Sequence, residues 1–162
     1  MTTDDCLLCG IVASELESSV VHRSATVLAI MDIDPVTAGH VLVLPTAHLP
    51  LLADLDDDLA TEMFAVARAV AAALRRSPIR SEGINLFYAD GAAAFQEVFH
   101  SHLHVFPRFE DDGFTIGARW GSNPPRSELD AHAATIRAAL DPGLRERRGR
   151  RGVDEQGAPG GS

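Results

Sequence analysis

Residues 96–108 carry three histidines at alternate positions, in the sequence Gln96-Glu97-Val98-Phe99-His100-Ser101-His102-Leu103-His104-Val105-Phe106-Pro107-Arg108. In a β-strand, alternate side chains share one face and lie roughly 6.6 Å apart. A strand here predicts all three histidines on one face, with Ser101, Leu103 and Val105 on the other. Packing alone is a poor explanation, because histidine is neither a favoured strand former nor cheap to bury unpaired. A chance histidine-rich edge strand and a plain metal site remain as alternatives.

The only two cysteines lie near the start, in Cys6-Leu7-Leu8-Cys9. In a cytosolic chain, a C-x-x-C pair is more often a metal or redox pair than a structural disulfide. The redox interpretation requires a strand-to-helix junction, which this early position does not supply. With nearby histidines the pair makes half of a tetrahedral Cys2His2 zinc site, and His48 and His100 are candidates for the other half.

Composition narrows the classes of function. The chain has 162 residues, a formal net charge of −9 and 14 basic residues, all of them arginine. This length fits one domain, and the absence of lysine excludes a P-loop or Schiff-base lysine. The acidic balance argues against non-specific nucleic-acid binding, which depends on contacts from Lys and Arg to phosphates. The first residues are acidic, which is not typical of a signal peptide. No apolar run approaches the roughly 20 residues that a membrane span requires. We therefore expect a cytoplasmic location.

The pattern of apolar residues predicts five strands and one long helix. A short helix from Cys9 to about Glu15 precedes them, and Ser127–Leu140 is a second helix with Ser127 as its cap. The long helix carries a stripe of Leu55, Leu59, Met63, Val66, Val70 and Leu74. The predicted strands are Val20–His22, Thr26–Asp32, His40–Leu44, Ile84–Tyr88 and His102–Phe106.

Hairpin-length connections between these elements indicate an α+β domain around an antiparallel sheet. From Asp141 onward the chain is rich in Gly and Arg and has no apolar periodicity. We therefore predict a folded domain over residues 1–143 and a disordered Arg/Gly-rich tail over 144–162.

These stretches together resemble the histidine-triad (HIT) superfamily, on its bacterial Hint-like side. The resemblance extends from Cys6-x-x-Cys9 through Asp32-Ile33 and Gly39–Pro45 to the three histidines and Pro107-Arg108. It implies a HIT-like fold, with an antiparallel sheet of about five strands, one long helix and a short N-terminal helix. It also implies a homodimer and a structural zinc ion held by Cys6, Cys9, His48 and His100.

The resemblance further implies a nucleotide-binding hydrolase or transferase in which the middle histidine, here His102, attacks the α-phosphorus. A neutral imidazole is a good nucleophile, and a nucleotidyl-histidine intermediate divides one high barrier into two lower ones. Attack through Nε2 requires the proton on Nδ1, and the family places the carbonyl of His100 there as acceptor. His104 and Gln96 are expected to donate hydrogen bonds to the phosphate.

The nucleoside part falls to Asp32 and Ile33. The carboxylate of Asp32 is expected to accept hydrogen bonds from ribose hydroxyls, and Ile33 to line the adjoining apolar floor. An ordinary strand-end acid before a turn remains the alternative for Asp32. His40 is ambiguous at a strand start, and we leave it out of the predicted site.

Three positions depart from the Hint pattern. Ser101 replaces a hydrophobic residue, and Ala89 stands in place of an asparagine. Glu97 replaces a serine thought to assist the leaving amine, and an anionic carboxylate cannot be that donor unless it is protonated. This substitution puts amine-leaving substrates in doubt.

Functions from different classes remain open. The first is a hydrolase that releases a nucleoside 5′-monophosphate, with AMP as the expected nucleotide, from a phosphoanhydride or phosphoramidate. The second is a zinc-stabilised purine-nucleotide-binding or scaffold protein with little turnover. A nucleotidyltransferase or phosphorylase is the third, although the absence of a Trp-x-Gly-Asp pattern after the histidines favours hydrolysis.

Overall fold

The computed structural model describes residues 5–117 and 121–140. They belong to two compact units that divide between Thr115 and Ile116. The predicted boundary at residue 143 and the predicted tail lie outside the described residues. Across the described parts of the chain, every helix is too short or too polar to cross a lipid bilayer.

The first unit is an α+β structure around one antiparallel sheet. Its strands are β1 (Val20–Arg23), β2 (Val27–Met31), β3 (Val41–Pro45), β4 (Gly83–Tyr88) and β5 (Leu103–Arg108), and its helices are α1 (Leu7–Val12) and α2 (Asp57–Arg76). The 5-stranded sheet has the order β1-β2-β3-β5-β4, so β5 lies inside it, between β3 and β4. The predicted fold class is confirmed, and the edge-strand alternative for the histidine run is wrong.

Helix α2 covers one face of the sheet through the predicted apolar stripe. Met63, Val70 and Leu74 are buried against the strands, together with Ala67, which the stripe did not include. The side chain of Asp56 caps the helix by accepting a hydrogen bond from the Leu59 N–H at 2.8 Å. Acidic residues occupy the first turn and Arg75 and Arg76 the last, as the helix dipole favours.

Helix α1 packs on the opposite face of the sheet. Leu8 and Ile11 join Cys6 in a second core cluster with residues of β2 and β3. The helix begins at Leu7, not at Cys9 as predicted, and it ends at Val12. Ser14 has a φ of +63°, a left-handed conformation that stops the helix before Glu15.

The structure corrects the prediction of one strand for all three histidines. Strand β5 begins at Leu103, so only His104 belongs to it. Before that point the backbone leaves the ladder, because the Ser101 N–H donates to the Leu49 carbonyl at 2.7 Å. The alternation holds for the other face, since Leu103 and Val105 pack in the core beneath α2.

Helix α3 (Arg126–Ala139) belongs to the second unit. It begins one residue earlier than predicted, and the cap position is Pro125, so the prediction of Ser127 as cap is wrong. The Pro125 carbonyl accepts the Glu128 N–H at 3.0 Å. An exposed ion pair between Arg126 and Asp130, at 3.2 Å, lies along its first turns.

Candidate active site and metal cluster

The four predicted metal ligands converge although they are far apart in sequence. One ligand atom from each of Cys6, Cys9, His48 and His100 lies within 4.8 Å of the others. The Sγ atoms of Cys6 and Cys9 are 3.6 and 3.5 Å from Nδ1 of His100. Cys9 Sγ is 3.2 Å from His48 Nδ1. A tetrahedral zinc ion has S···N edges of about 3.5–3.6 Å, given ordinary Zn–S and Zn–N lengths. The cluster therefore has dimensions that suit zinc.

The orientation of His100 also suits a metal ligand. Its Nε2–H donates to the Pro45 carbonyl at 2.9 Å, which leaves the Nδ1 lone pair directed at the two cysteines. The ring is fully buried, and burial lowers the pKa of His100, which favours the neutral imidazole that metals bind. Burial and the neighbouring Cys6 raise the pKa of the Cys9 thiol to about 11. Binding of a cation at these sulfurs would therefore release protons.

A pocket of about 630 Å³ opens on the face of the sheet that carries α1. Helix α1 contributes Leu7, Leu8 and Ile11 to its wall. His104 lines it from β5, His102 from the residue just before that strand, and Asp32 and Ile33 from the end of β2. The volume is within the range of small-molecule sites, which are mostly apolar with a few polar groups.

His102 presents a free ring nitrogen. Its Nδ1 lies 2.6 Å from the carbonyl oxygen of His100, and a carbonyl can only accept, so the proton is assigned to Nδ1. Nε2 then keeps its lone pair and is available as a nucleophile.

His104 belongs to a hydrogen-bonded pair with His40. His40 Nδ1 accepts the Val36 N–H at 3.1 Å, so its own proton is assigned to Nε2, which lies 2.9 Å from His104 Nδ1. His104 therefore accepts at Nδ1 and holds its proton on Nε2. Burial, followed by the neighbouring His102 and His40, lowers the pKa of His104 to about 4. His104 is a neutral hydrogen-bond donor.

Sequence reasoning left His40 out, although it is buried and lines the same pocket. The signal that could have found it is Gly39-His40 at the start of a strand adjoining the histidine run. Gly39 has a φ of +96°, and a Cβ there would come within 3.0 Å of Leu74 and Ile79. Position 39 therefore requires glycine, and this backbone turn places the next residue, His40, beside His104.

Asp32 satisfies both descriptions given above. Its Oδ1 accepts the Asp34 N–H at 2.9 Å, as a turn residue does. Its Oδ2 lies 3.5 Å from His40 Nδ1 and 3.9 Å from His104 Nδ1, within the pocket. Ile33 is 89% exposed, an apolar side chain at the pocket rim.

Gln96 occupies a different place from the one its predicted role requires. It is buried, and its Nε2 donates to the carbonyls of Pro50 at 2.7 Å and Val98 at 3.2 Å. Its Oε1 accepts the Gly91 N–H at 2.7 Å. Both amide hydrogens are engaged with backbone, so Gln96 fixes the loop and does not offer a donor to the pocket.

Comparison with known proteins identifies the family. Residues 13–111 match the family model of the HIT domain. The chain belongs to the HIT domain family. An uncharacterized HIT-like protein of Borreliella burgdorferi is 45% identical over 113 residues, which are 68% of this chain and 80% of that protein. Adenylylsulfatase HINT3 of Arabidopsis thaliana is 31% identical over 136 residues, 82% of this chain and 66% of that protein.

Solved HIT structures share the fold. A HIT family protein from Bacillus anthracis has a TM-score of 0.78 and 36% identity, over 86% of this chain and 100% of that one. A zinc-bound histidine triad family protein from Mycobacterium smegmatis has a TM-score of 0.66 and 35% identity, with the same coverage. The predicted membership and fold are confirmed, and the Cys2His2 cluster is compatible with zinc.

Proposed function

We propose that this HIT protein is a nucleotide hydrolase that releases a nucleoside 5′-monophosphate, AMP in the first instance, from a phosphoanhydride or phosphoramidate leaving group. The observation that carries the proposal is the bond from His102 Nδ1 to the His100 carbonyl at 2.6 Å. It leaves the lone pair of Nε2 free in a pocket of nucleotide size. A HIT-like relative named as an adenylylsulfatase supports hydrolysis at the phosphorus of a nucleotide anhydride.

In the proposed reaction, His102 Nε2 forms a bond to the α-phosphorus, and the bond to the leaving group breaks with its electron pair on that group, which takes a proton from solvent where it is an amine. Water then attacks the nucleotidyl-histidine and loses a proton to solvent. The P–N bond breaks with its electron pair on Nε2, which restores the neutral imidazole and releases the nucleoside monophosphate. His104 donates its Nε2–H to a phosphoryl oxygen, where negative charge builds in the transition state. Because His40 fixes the opposite nitrogen of that ring, the donor is oriented before substrate arrives.

The nucleoside part would lie against α1 and β2. Leu7, Leu8 and Ile11 give an apolar surface for a base. Asp32 keeps Oδ2 available for ribose hydroxyls while Oδ1 holds the turn. Gln96, by contrast, acts in this proposal through the loop that it fixes, because its amide hydrogens are already bonded.

We also propose that Cys6, Cys9, His48 and His100 bind one structural zinc ion. Four protein ligands leave no open position for a catalytic water, so the metal serves folding. The ion would affect the candidate active site through His100, whose ring belongs to the cluster and whose backbone carbonyl bonds to His102.

The test is the variant His102→Ala with a panel of AMP amides, dinucleoside polyphosphates and adenylyl sulfate. We expect turnover to fall by several orders of magnitude while AMP affinity stays within about tenfold, because the nucleophile is lost and the pocket is kept. His104→Ala should cost on the order of a hundredfold, as one charge-stabilising donor. Asp32→Ala should act mainly on binding.

His22→Ala is the matched control, since His22 is an exposed histidine on β1. Its turnover should equal that of the wild type. Mass spectrometry of quenched wild-type reactions should find a nucleotidyl adduct on His102. Near-wild-type hydrolysis by His102→Ala would refute the catalytic assignment, and nucleotide binding without turnover or adduct in the wild type would favour the binding-protein alternative.

A further inference from the structure

The loop before the histidines presents alternate side chains to two different environments. The buried Gln96 is tied by its amide to Gly91, Pro50 and Val98. Its neighbours Phe95 and Glu97 are exposed, and both line the pocket. Phe95 is 82% exposed and has a φ of +70°, a conformation that bulky residues seldom adopt. The Gln96 anchor holds Phe95 and Glu97 at the pocket.

The β3–β5 register gives the position of this loop relative to the histidines. Asp32 lies beside the start of β3, where its N–H donates to the His40 carbonyl at 3.0 Å. His104 pairs with Leu42 further along β3. The loop reaches the other end, because His100 bonds to Pro45 and Gln96 to Pro50. Along β3, Asp32 therefore lies at the start, His104 is paired in the middle, and the loop that carries Glu97 joins the chain at and beyond the end.

The charges of the pocket have one sign. The described residues that line it include four carboxylates, Glu17, Asp32, Asp34 and Glu97, and no arginine. The histidine donors are neutral, since burial lowers the pKa of both His40 and His104. Neutral donors can hold the single charge of an α-phosphate, but nothing described here would neutralise a second anion beyond it.

From this placement we propose that Phe95 and Glu97 form a leaving-group subsite that selects an apolar leaving group with a positive charge, and disfavours anionic ones such as polyphosphate or sulfate. The proposal rests on the proposed function for the direction in which the nucleotide lies. With the ribose at Asp32 and the phosphorus at His102, the group that departs points to Glu97. Phe95 would cover its carbon chain, and the Glu97 carboxylate would pair with its distal cation.

Glu97 thus acquires a role that differs from the serine of the Hint pattern. A serine hydroxyl can assist departure of an amine, whereas a carboxylate selects by charge. The sequence put amine leaving groups in doubt because Glu97 replaces the serine. In this proposal amine leaving groups are accepted when they carry a positive charge at their distal end.

The experiment uses three AMP phosphoramidates that differ only at the distal end of a four-carbon amine. Butane-1,4-diamine gives a cation, butylamine a neutral methyl and 4-aminobutanoate an anion. Binding is measured by calorimetry in His102→Ala, which prevents turnover, and kcat/KM is measured in the protein with His102 intact. We expect the cationic amide to bind about tenfold more tightly than the anionic one, as a partly solvated charge pair and its like-charge counterpart allow.

Glu97→Gln should remove most of that preference, and Glu97→Arg should reverse it. Asp58→Asn is the matched control, because Asp58 is an exposed carboxylate in the first turn of α2, on the face of the sheet away from the pocket. Its removal should leave the ratio between the amides unchanged. Equal affinity for the three amides, an unchanged ratio in Glu97→Gln, or no binding of any of them would overturn the subsite.

The two proposals fail in different measurements. A Glu97-dependent charge preference in His102→Ala, combined with no turnover by the protein with His102 intact, would support the subsite and refute the hydrolase. Equal turnover of all three amides, unaffected by Glu97→Gln, would overturn the subsite and leave the hydrolase in place.

Discussion

His104 offers a hydrogen to the pocket because His40 holds the other side of the same ring. The order of donors runs from the Val36 N–H to His40 and from His40 to His104, so each ring has one defined tautomer. A protonated His40 would lose its acceptor for Val36. Neutral rings are therefore required for the arrangement, and burial provides them.

This arrangement predicts a dependence of stability on pH. The pKa of His104 falls from 6.5 to about 4 on folding, so the unfolded chain binds more protons between these pH values. The contribution of His104 to stability is present above pH 6.5 and is lost as the pH falls towards 4. Chemical denaturation at several pH values across this range gives the free energy of unfolding. That free energy should fall more steeply with decreasing pH for the wild type than for His104→Asn, and the difference in slope should correspond to at most about one bound proton.

The comparison of slopes removes the effect of acid on the metal cluster, which both proteins share. Zinc content is measured at each pH to verify that it is equal in the two. Parallel curves for the wild type and His104→Asn would contradict the assignment of a depressed pKa to this ring.

The sequence predicts the roles of some residues of the candidate site and not those of others. The three histidines and the cysteine pair follow from residue type and spacing, because few other roles require those residues together. His40 and Gln96 could not be placed, since each depends on a partner more than 40 residues away, His104 for one and Pro50 for the other. Spacing contains no information about such pairs.

Among the elements, α1 connects the metal cluster to the pocket. Cys6 precedes the helix and Cys9 lies within it, while Leu7, Leu8 and Ile11 line the pocket. A helix of 6 residues does not persist by its own propensity. Its position depends on packing against the sheet and, in our proposal, on zinc.

Loss of a metal ligand is therefore predicted to weaken nucleotide binding as well as stability. His48→Ala and Cys6→Ser should lose the zinc ion, lower the melting temperature and reduce AMP affinity by about tenfold or more. His48 is the cleaner test because it lies outside α1, whereas Cys6 is the cap residue of that helix. Metal analysis, thermal unfolding and calorimetry provide the three measurements.

His22→Ala again serves as the control, with unchanged zinc, stability and affinity expected. If a metal-free His48→Ala protein binds AMP with wild-type affinity, the position of α1 at the pocket does not depend on zinc, and the prediction is wrong. About one zinc per chain is expected in the wild type.

The elements themselves were largely predictable. Helix α2 and the strands β2 to β5 follow from apolar periodicity, within one or two residues at each end. The errors fall where tertiary contacts override local pattern. Strand β5 begins at Leu103 because residues 96–101 bond instead to Pro45 and to the segment that follows it. Helix α3 begins at Arg126, after Pro125, which offers no side-chain cap.

At the scale of the whole molecule, the sheet ends at two edge strands, β1 and β4, and β4 is the edge next to the strand that carries His104. The outer side of β4 has no strand among the described residues, and Leu86 and Phe87 are 41% and 39% exposed. Unpaired strand edges invite association with another chain. The family resemblance implies a homodimer whose interface includes the long helix and a strand edge, and we predict that β4 is that edge.

Light scattering at micromolar concentration should give twice the mass of one chain. Leu86→Arg should shift the protein towards the monomer, because it places a charge on the proposed interface. Val21→Arg is a suitable control, since Val21 is 48% exposed on β1 at the opposite edge. A monomeric wild type would contradict the prediction.

The position of β5 between β3 and β4 has a consequence for the newly synthesised chain. Cys6 and His100 are separated by 94 positions, and β5 is the last of the described strands to leave the ribosome. Until it inserts, β3 and β4 have no common neighbour, and His102, which directly precedes β5, is not held at the pocket. Closure of such distant contacts is slow and follows local structure. Metal capture would then mark the moment when synthesis and folding of the sheet are complete, and a ribosome-bound chain that stops before Arg108 would hold neither zinc nor nucleotide.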